Sequence, residues 1–223
     1  NRAREAVGIP YLTTERAPAK DEGSRRRKAQ KAVVRPTVGF MNISGLMLFP
    51  GAGADRTNRT LVALEERLAP LPVRRVDFPG RAAGKRGVEQ ASTAVAHVVS
   101  QAEDFAAELG VPLNQIAVGG RSFGGRMCSM AVADGLEIGA LVLLSYPLHP
   151  PGKPENLRIE HLPAITVPTL AVSGEKDPFG APDELRTHLG AIVGHVTLEF
   201  VTGHHSPADA GVVAAVQTWL KRN

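Results

Sequence analysis

The stretch that most constrains this chain is Ala117-Val118-Gly119-Gly120-Arg121-Ser122-Phe123-Gly124-Gly125. An apolar run, Ile116 to Val118, enters it. A small-residue segment with helical potential, Arg126 to Asp134, leaves it. Gly120-Arg121-Ser122-Phe123-Gly124 is a G-x-S-x-G pattern, which between a strand and a helix describes a nucleophile elbow. So tight a turn strains the backbone of the central serine and is sterically open only when the residues two positions either side lack a Cβ. It pushes Oγ of Ser122 clear of the sheet. It also leaves the Phe123 N–H at the start of a helix, where developing negative charge is favoured. Elsewhere the same letters make an ordinary glycine-rich turn, so the surrounding pattern decides.

That pattern alternates. Leu46 to Phe49 is a short buried-strand signal ended by Pro50-Gly51-Ala52-Gly53, and Leu61, Leu64 and Leu68 then space as a helix. Val73 to Asp77 reads as a second strand, closed by Phe78-Pro79-Gly80, and Arg81 to Gly87 as a basic loop. Val95, Val98, Val99, Ala102, Ala106 and Leu109 share one helical face, capped by Gly110. Ile116 to Gly119, the unbroken apolar Ala140 to Leu144, Thr169 to Ser173 and His195 to Val201 supply four more strands. Tyr146 to Pro168, rich in proline, reads as a loop folded over one edge of the sheet. Pro182 to Leu189 is a short helix. A last helix is expected with Ser206 as N-cap, Pro207 at its first position and Asp209 completing the cap. Val212, Val213, Val216, Trp219 and Leu220 form its buried stripe.

Strands alternating with helices predict an α/β fold, a mostly parallel sheet of about six strands with helices on both faces. At 223 residues and 43% hydrophobic the chain suits one such domain, with a core of Val, Leu, Ile and Ala because aromatics are only 4%. Residues 1–39 hold ten Lys/Arg against four Asp/Glu, and residues 40–223 sixteen against eighteen. The basicity therefore belongs to an irregular N-terminal arm, residues 1–39, ahead of a folded domain, residues 40–223. Val33-Val34 and Val38 to Met41 offer at most one edge strand. Arg25-Arg26-Arg27-Lys28 has no interleaved aromatic residue, which argues against nucleic acid and for a solvated arm. No apolar run has the roughly 20 residues of a membrane span, and the N-terminal stretch lacks a signal-peptide core. A soluble, cytoplasmic protein is the expectation. The single cysteine, Cys128, reads as a buried structural thiol. No zinc spacing, Walker motif or dinucleotide fingerprint is present, so no cofactor is expected.

In parallel sheets, reactive groups gather where strands end on their carboxyl side. Ser122 follows the third strand, Asp177 the fifth, and the pair His204-His205 the sixth. A serine hydroxyl needs a base to take its proton, histidine titrates near neutrality, and a carboxylate fixes the histidine tautomer. The order Ser…Asp…His suits that arrangement. Asp177 precedes Pro178 in a turn just past the strand, with Glu175 as the alternative acid. His205, directly before Ser206, is favoured over His204 as the base. The other histidines read as structural or exposed, although His149 lies where it could line a pocket. The Phe123 N–H and, from the loop after the first strand, the Ala52 N–H are the candidate oxyanion donors.

Phe49-Pro50-Gly51-Ala52-Gly53, Asp77-Phe78-Pro79, Gly119 to Arg126, Leu144-Ser145-Tyr146-Pro147-Leu148-His149-Pro150-Pro151-Gly152-Lys153-Pro154 and Gly174-Glu175-Lys176-Asp177-Pro178-Phe179-Gly180 together resemble the small α/β-hydrolases close to dienelactone hydrolase. The nearest group contains bacterial hydrolase-like proteins, a testis-expressed protein and a subunit of the NSL chromatin complex. The likeness covers about residues 45–222. It implies a Ser122, Asp177, His205 triad and an open site without a large lid, flanked by the Tyr146–Pro168 loop. The family carries a histidine where Pro50 stands here. Dienelactone hydrolases use a cysteine nucleophile, so Ser122 argues against that substrate. The expected function is a serine hydrolase acting on a small-molecule ester or thioester. The alternative is a non-catalytic protein that uses the fold as an interaction surface.

Overall fold

The computed structural model describes residues 42–85 and 87–222. The basic arm and the edge strand expected near Val38 to Met41 lie outside them. Six strands form one wholly parallel sheet in the order β2-β1-β3-β4-β5-β6. They are β1 Gly45–Phe49, β2 Val73–Arg75, β3 Ile116–Arg121, β4 Ala140–Leu144, β5 Thr169–Gly174 and β6 Val196–Val201. The helices are α1 Arg59–Leu68, α2 Pro79–Ala82, α3 Ala91–Leu109, α4 Phe123–Ala133, α5 Pro182–Leu189 and α6 Asp209–Arg222.

The alternation of apolar side chains along the strands explains the layers. Leu46 and Leu48 of β1, with Ala140, Val142 and Leu144 of β4, pack against Leu61 and Leu64 of α1 and Val212, Val216 and Trp219 of α6. Met47, Phe49, Leu141 and Leu143 point the other way, toward Val98, Ala102 and Phe105 of α3, Met127 of α4 and Leu185 of α5. With both faces covered, β1 and β4 are buried along their whole length, as parallel strands must be. Gly110, at φ 66°, ends α3.

The chain runs from β1 outward to β2, then crosses back over β1 to β3 and continues the other way. The order therefore reverses between β1 and β3, and the crevice at the carboxyl ends of those two strands is the natural ligand position. The loop after β1 and the turn after β3 both open into it.

Three segments depart from the sequence reading. β2 stops at Arg75 because the Asp77 carboxylate leaves the strand line to accept the Arg56 N–H at 2.5 Å, and Phe78-Pro79 opens the short helix α2. Tyr146 to Pro168 does not lie over a sheet edge. It is the crossover between the neighbouring strands β4 and β5, with a 3-10 turn at Leu162–Ala164, and it buries Leu148, Leu162 and Ile165 in the layer that holds α3 and α4. Ser206 does not cap α6, which begins at Asp209. Its Oγ instead accepts from the Arg121 guanidinium, while the Asp209 carboxylate accepts from Thr60 Oγ at 2.6 Å and pairs with Arg59 at 3.2 Å, joining α6 to α1. Among the described residues no inserted helical segment covers the strand ends, and no helix is long and apolar enough to cross a membrane.

Two buried groups make stability depend on pH. Cys128 is fully buried, its thiol donating to the Gly119 carbonyl at 3.3 Å, and burial pushes the thiol up from its ordinary value of 9.0. Burial also pushes the Tyr146 phenol up to about 12, against the opposing pull of the Arg126 charge. Both groups keep their protons longer folded than unfolded, so their contribution is intact below pH ~9 and is lost as pH rises, by roughly 1.4 kcal/mol per pH unit for each proton released. Urea midpoints are expected to hold to pH 9 and fall between pH 9 and 11, with Cys128→Ala flattening the first part of the fall. A midpoint that stays flat over that range contradicts this.

Candidate active site

β3 ends in the strained turn that its glycines foreshadow. Ser122 has φ 50° and ψ −115°, a region that costs a residue with a Cβ about 1–3 kcal/mol. A Cβ on Gly120 would lie 2.5 Å from the Phe49 carbonyl oxygen, and one on Gly124 2.5 Å from the carbonyl oxygens of both Phe49 and Pro50. The two glycines thus let the elbow press directly against the end of β1. The Ser122 N–H donates to Leu144 O at 2.8 Å, tying the turn to β4. Behind it Phe78 stacks on Phe49 at 5.1 Å and meets the edge of Phe123 at 5.3 Å.

The structure brings Ser122, His205 and Asp177 together. His205 Nε2 lies 2.9 Å from Ser122 Oγ, and His205 Nδ1 lies 2.9 Å from each Asp177 carboxylate oxygen. With Nδ1 donating to the carboxylate, Nε2 is left as the acceptor facing the serine hydroxyl. Asp177 is buried and also accepts the Phe179 N–H at 2.9 Å and the Ser173 hydroxyl at 3.3 Å. The Phe179 ring covers the imidazole at a centroid distance of 4.0 Å. The alternatives lie elsewhere. His204 is exposed, its Nδ1 at 3.0 Å from the Lys176 carbonyl, and Glu175 is exposed past the end of β5. His149 does not face the site: it is buried beside Glu184 of α5 at 3.4 Å.

The loops carrying these groups are cross-braced. The Asp177 turn is fixed to the β4–β5 crossover by the His149 N–H, which donates to Phe179 O at 3.1 Å. The histidine loop is fixed by Arg121, whose guanidinium donates to the His205 carbonyl at 2.6 Å and to Ser206 Oγ. Burial holds Arg121 below its ordinary value, while the Asp177 charge works in the opposite direction. After β1, the Asp77 carboxylate holds the Arg56 N–H and Arg81 Nε donates to Ala54 O at 3.1 Å. That loop presents Ala52 to the same cavity as Ser122, Phe123 and His205, a space of about 480 Å³. Neither the Ala52 nor the Phe123 N–H donates within the protein among the described residues.

Sequence reasoning did not find Arg121, Ser173 or Phe179. Phe179 sits in the Asp177-Pro178-Phe179-Gly180 segment, so its motif was visible although its stacking was not. Nothing in periodicity points to Arg121, because its partners lie 84 and 85 residues away.

The sequence matches the alpha/beta hydrolase domain family over residues 44–209. No curated protein matches it. Among solved structures, Est1E from Butyrivibrio proteoclasticus with ferulic acid bound aligns with a TM-score of 0.64 at 20% identity, over 81% of this chain and 90% of that one. The RedJ thioesterase of the prodiginine biosynthetic pathway in Streptomyces coelicolor gives 0.59 at 16% identity, over 82% and 96%. The Bacillus cereus carboxylesterase gives 0.56 at 16% identity, over 82% and 89%. At such identities the likeness is one of fold.

The Arg121 brace gives a testable outcome. A hydrogen bond from a charged donor to a carbonyl contributes roughly 1.5–3 kcal/mol. Arg121→Ala is therefore expected to speed amide exchange in residues 202–207 by about tenfold or more, leaving β1, β3 and β4 protected. Hydrogen–deuterium exchange with peptide resolution reads this, and unchanged exchange in that loop removes the brace from the account.

Proposed function

The chain belongs to the alpha/beta hydrolase domain family, and from that membership we propose that it is a serine hydrolase cleaving a small ester or thioester through an acyl-enzyme. The observation that carries this reading is the single imidazole of His205, hydrogen-bonded through one nitrogen to Ser122 and through the other to Asp177.

In this reading Ser122 Oγ attacks the substrate carbonyl carbon while its proton passes to His205 Nε2. The carbonyl π electrons move onto oxygen, which the Phe123 and Ala52 N–H groups hold. Each such donor is worth about 3 kcal/mol at the transition state. Asp177 keeps the Nδ1 proton in place and stabilises the imidazolium without taking the proton. The oxyanion collapses, the carbonyl re-forms, and the leaving alkoxide or thiolate takes the proton from Nε2 and departs as the alcohol or thiol, which returns His205 to its neutral form. Water then enters, gives its proton to His205 and attacks the acyl carbon. Ser122 is released with its proton restored and the acid departs.

A cavity of about 480 Å³ suits a small acyl group. Val88, 60% exposed on its rim, offers that group an apolar contact. Within the family, we place the chain nearest the dienelactone-hydrolase-like group containing the testis-expressed and NSL-subunit proteins, on the motifs quoted above. Residues 1–39 are read as a basic arm outside this chemistry.

A fluorophosphonate probe is expected to label the wild-type protein on Ser122. Ser122→Ala is expected to abolish labelling and to lower kcat on an acyl-ester panel by about 10⁵–10⁶, with Asp177→Asn lowering it by about 10⁴. A folded wild type that neither labels nor turns over any ester would favour the non-catalytic, interaction-surface alternative.

A further inference from the structure

The cavity beside Ser122 is positively charged without an evident structural reason. Arg126 lies in the first turn of α4, where the exposed N–H groups of a helix disfavour a cation. Its side chain lines the cavity, and its Nε is buried with no hydrogen-bond partner. Arg158, from the β4–β5 crossover, lines the same cavity.

A guanidinium carries five N–H donors. Among the described residues, the protein offers no acceptor to the Arg126 side chain, and to the Arg158 side chain only the Pro147 carbonyl at 3.4 Å, longer than a good hydrogen bond. No carboxylate pairs with either. Arg121 differs, since its guanidinium is already engaged by His205 and Ser206.

The charges are felt by their surroundings. Burial, then the Arg126 charge, holds both Arg158 and the half-buried His161 below their ordinary values, while Glu160 and Asp134 work against this at His161. Arg158 is nonetheless fixed in place: its N–H donates to Leu148 O at 2.9 Å and its carbonyl accepts the Tyr146 hydroxyl at 2.7 Å. Two half-buried cations sharing one cavity, with donors left over and no carboxylate paired to either, are costly unless something negative enters.

We propose that Arg126 and Arg158 form an oxyanion-binding subsite next to Ser122, so that the substrate is an ester or thioester carrying a compact anionic group, a carboxylate or a phosphate. The substrate class rests on the hydrolase reading above; the anion subsite rests on the arginines alone. Planar forks of N–H donors match both anions. Ser122, His205 and the oxyanion donors keep their roles, and the two arginines hold the far end of the substrate.

The test compares three esters of similar acyl length: ethyl pentanoate, monoethyl glutarate and ethyl 4-(phosphonooxy)butanoate, followed by pH-stat. Calorimetry with glutarate and with inorganic phosphate runs in parallel on Ser122→Ala and on wild type. One of the anionic esters is expected to exceed ethyl pentanoate in kcat/KM by roughly 10- to 100-fold. In Arg126→Met and Arg158→Met that preference is expected to fall toward unity through KM, and Arg126→Lys is expected to restore part of it. The better anion identifies the group, and its binding to Ser122→Ala is expected to weaken in parallel with each arginine substitution. Thermal melts of each variant, and its fluorophosphonate labelling, separate a lost subsite from a lost fold. Ser122 labelling with equal or better turnover of ethyl pentanoate, and no binding of either anion, overturns the subsite and leaves the hydrolase. Arginine-dependent anion binding without labelling or turnover of any ester overturns the hydrolase and leaves the subsite.

Discussion

The close approach of the β3–α4 turn to the end of β1 is the contact on which the rest of this structure depends. Gly120 and Gly124 pack against the carbonyls of Phe49 and Pro50 with no room for a Cβ. Ser122 is thereby held at φ 50°, in a conformation that only the surrounding sheet can sustain. That same approach sets the Gly51-Ala52 loop beside the serine. The strain at Ser122 and the placement of the second candidate oxyanion donor are one geometric fact, arising at the reversal of strand order between β1 and β3.

Around that contact the other groups are carried on loops, and each loop is tied by a bond to a neighbour. The Asp177 turn is tied to the β4–β5 crossover through His149 N–H and Phe179 O, the histidine loop to β3 through Arg121, and the loop after β1 to the exit of β2 through Asp77. Loops held this way fix the positions of the side chains they carry. Ser173 and Phe179 contact Asp177, Phe179 also covers the His205 ring, and Arg121 holds the His205 carbonyl, so the three residues fix the geometry of the pair. Arg126 and Arg158 stand apart: both line the cavity beside Ser122, and neither is paired with a carboxylate among the described residues.

Much of the architecture was legible because periodicity reports burial. The doubly apolar run Ala140 to Leu144 is β4 at the residues expected, Pro182 to Leu189 is α5, and Gly110 caps α3 as expected, in the left-handed conformation. The misreadings have a common cause, which is that local capping and strand signals were overridden by distant partners. Ser206-Pro207 has the letters of a helix start, yet Arg121 holds Ser206. Gly203 at φ 135°, packed so that a Cβ would sit 2.9 Å from Pro207 Cα, keeps the chain in a loop until Asp209. Asp77 has the place of a strand residue, yet the Arg56 N–H draws its carboxylate away.

The amino-acid sequence by itself determined the kind of layers, the elbow at Ser122 and the order in which serine, acid and histidine leave their strands. All of these follow from short-range spacing and from which residues lack a Cβ. Only the tertiary structure decided which member of the pair His204-His205 turns inward, that Asp177 rather than Glu175 is buried beneath it, and that Arg126 and Arg158 share one cavity with no carboxylate paired to either. Those outcomes depend on contacts between segments tens of residues apart. A linear pattern carries no record of such distances, because the direction of a side chain is set by what packs against it after the sheet has closed.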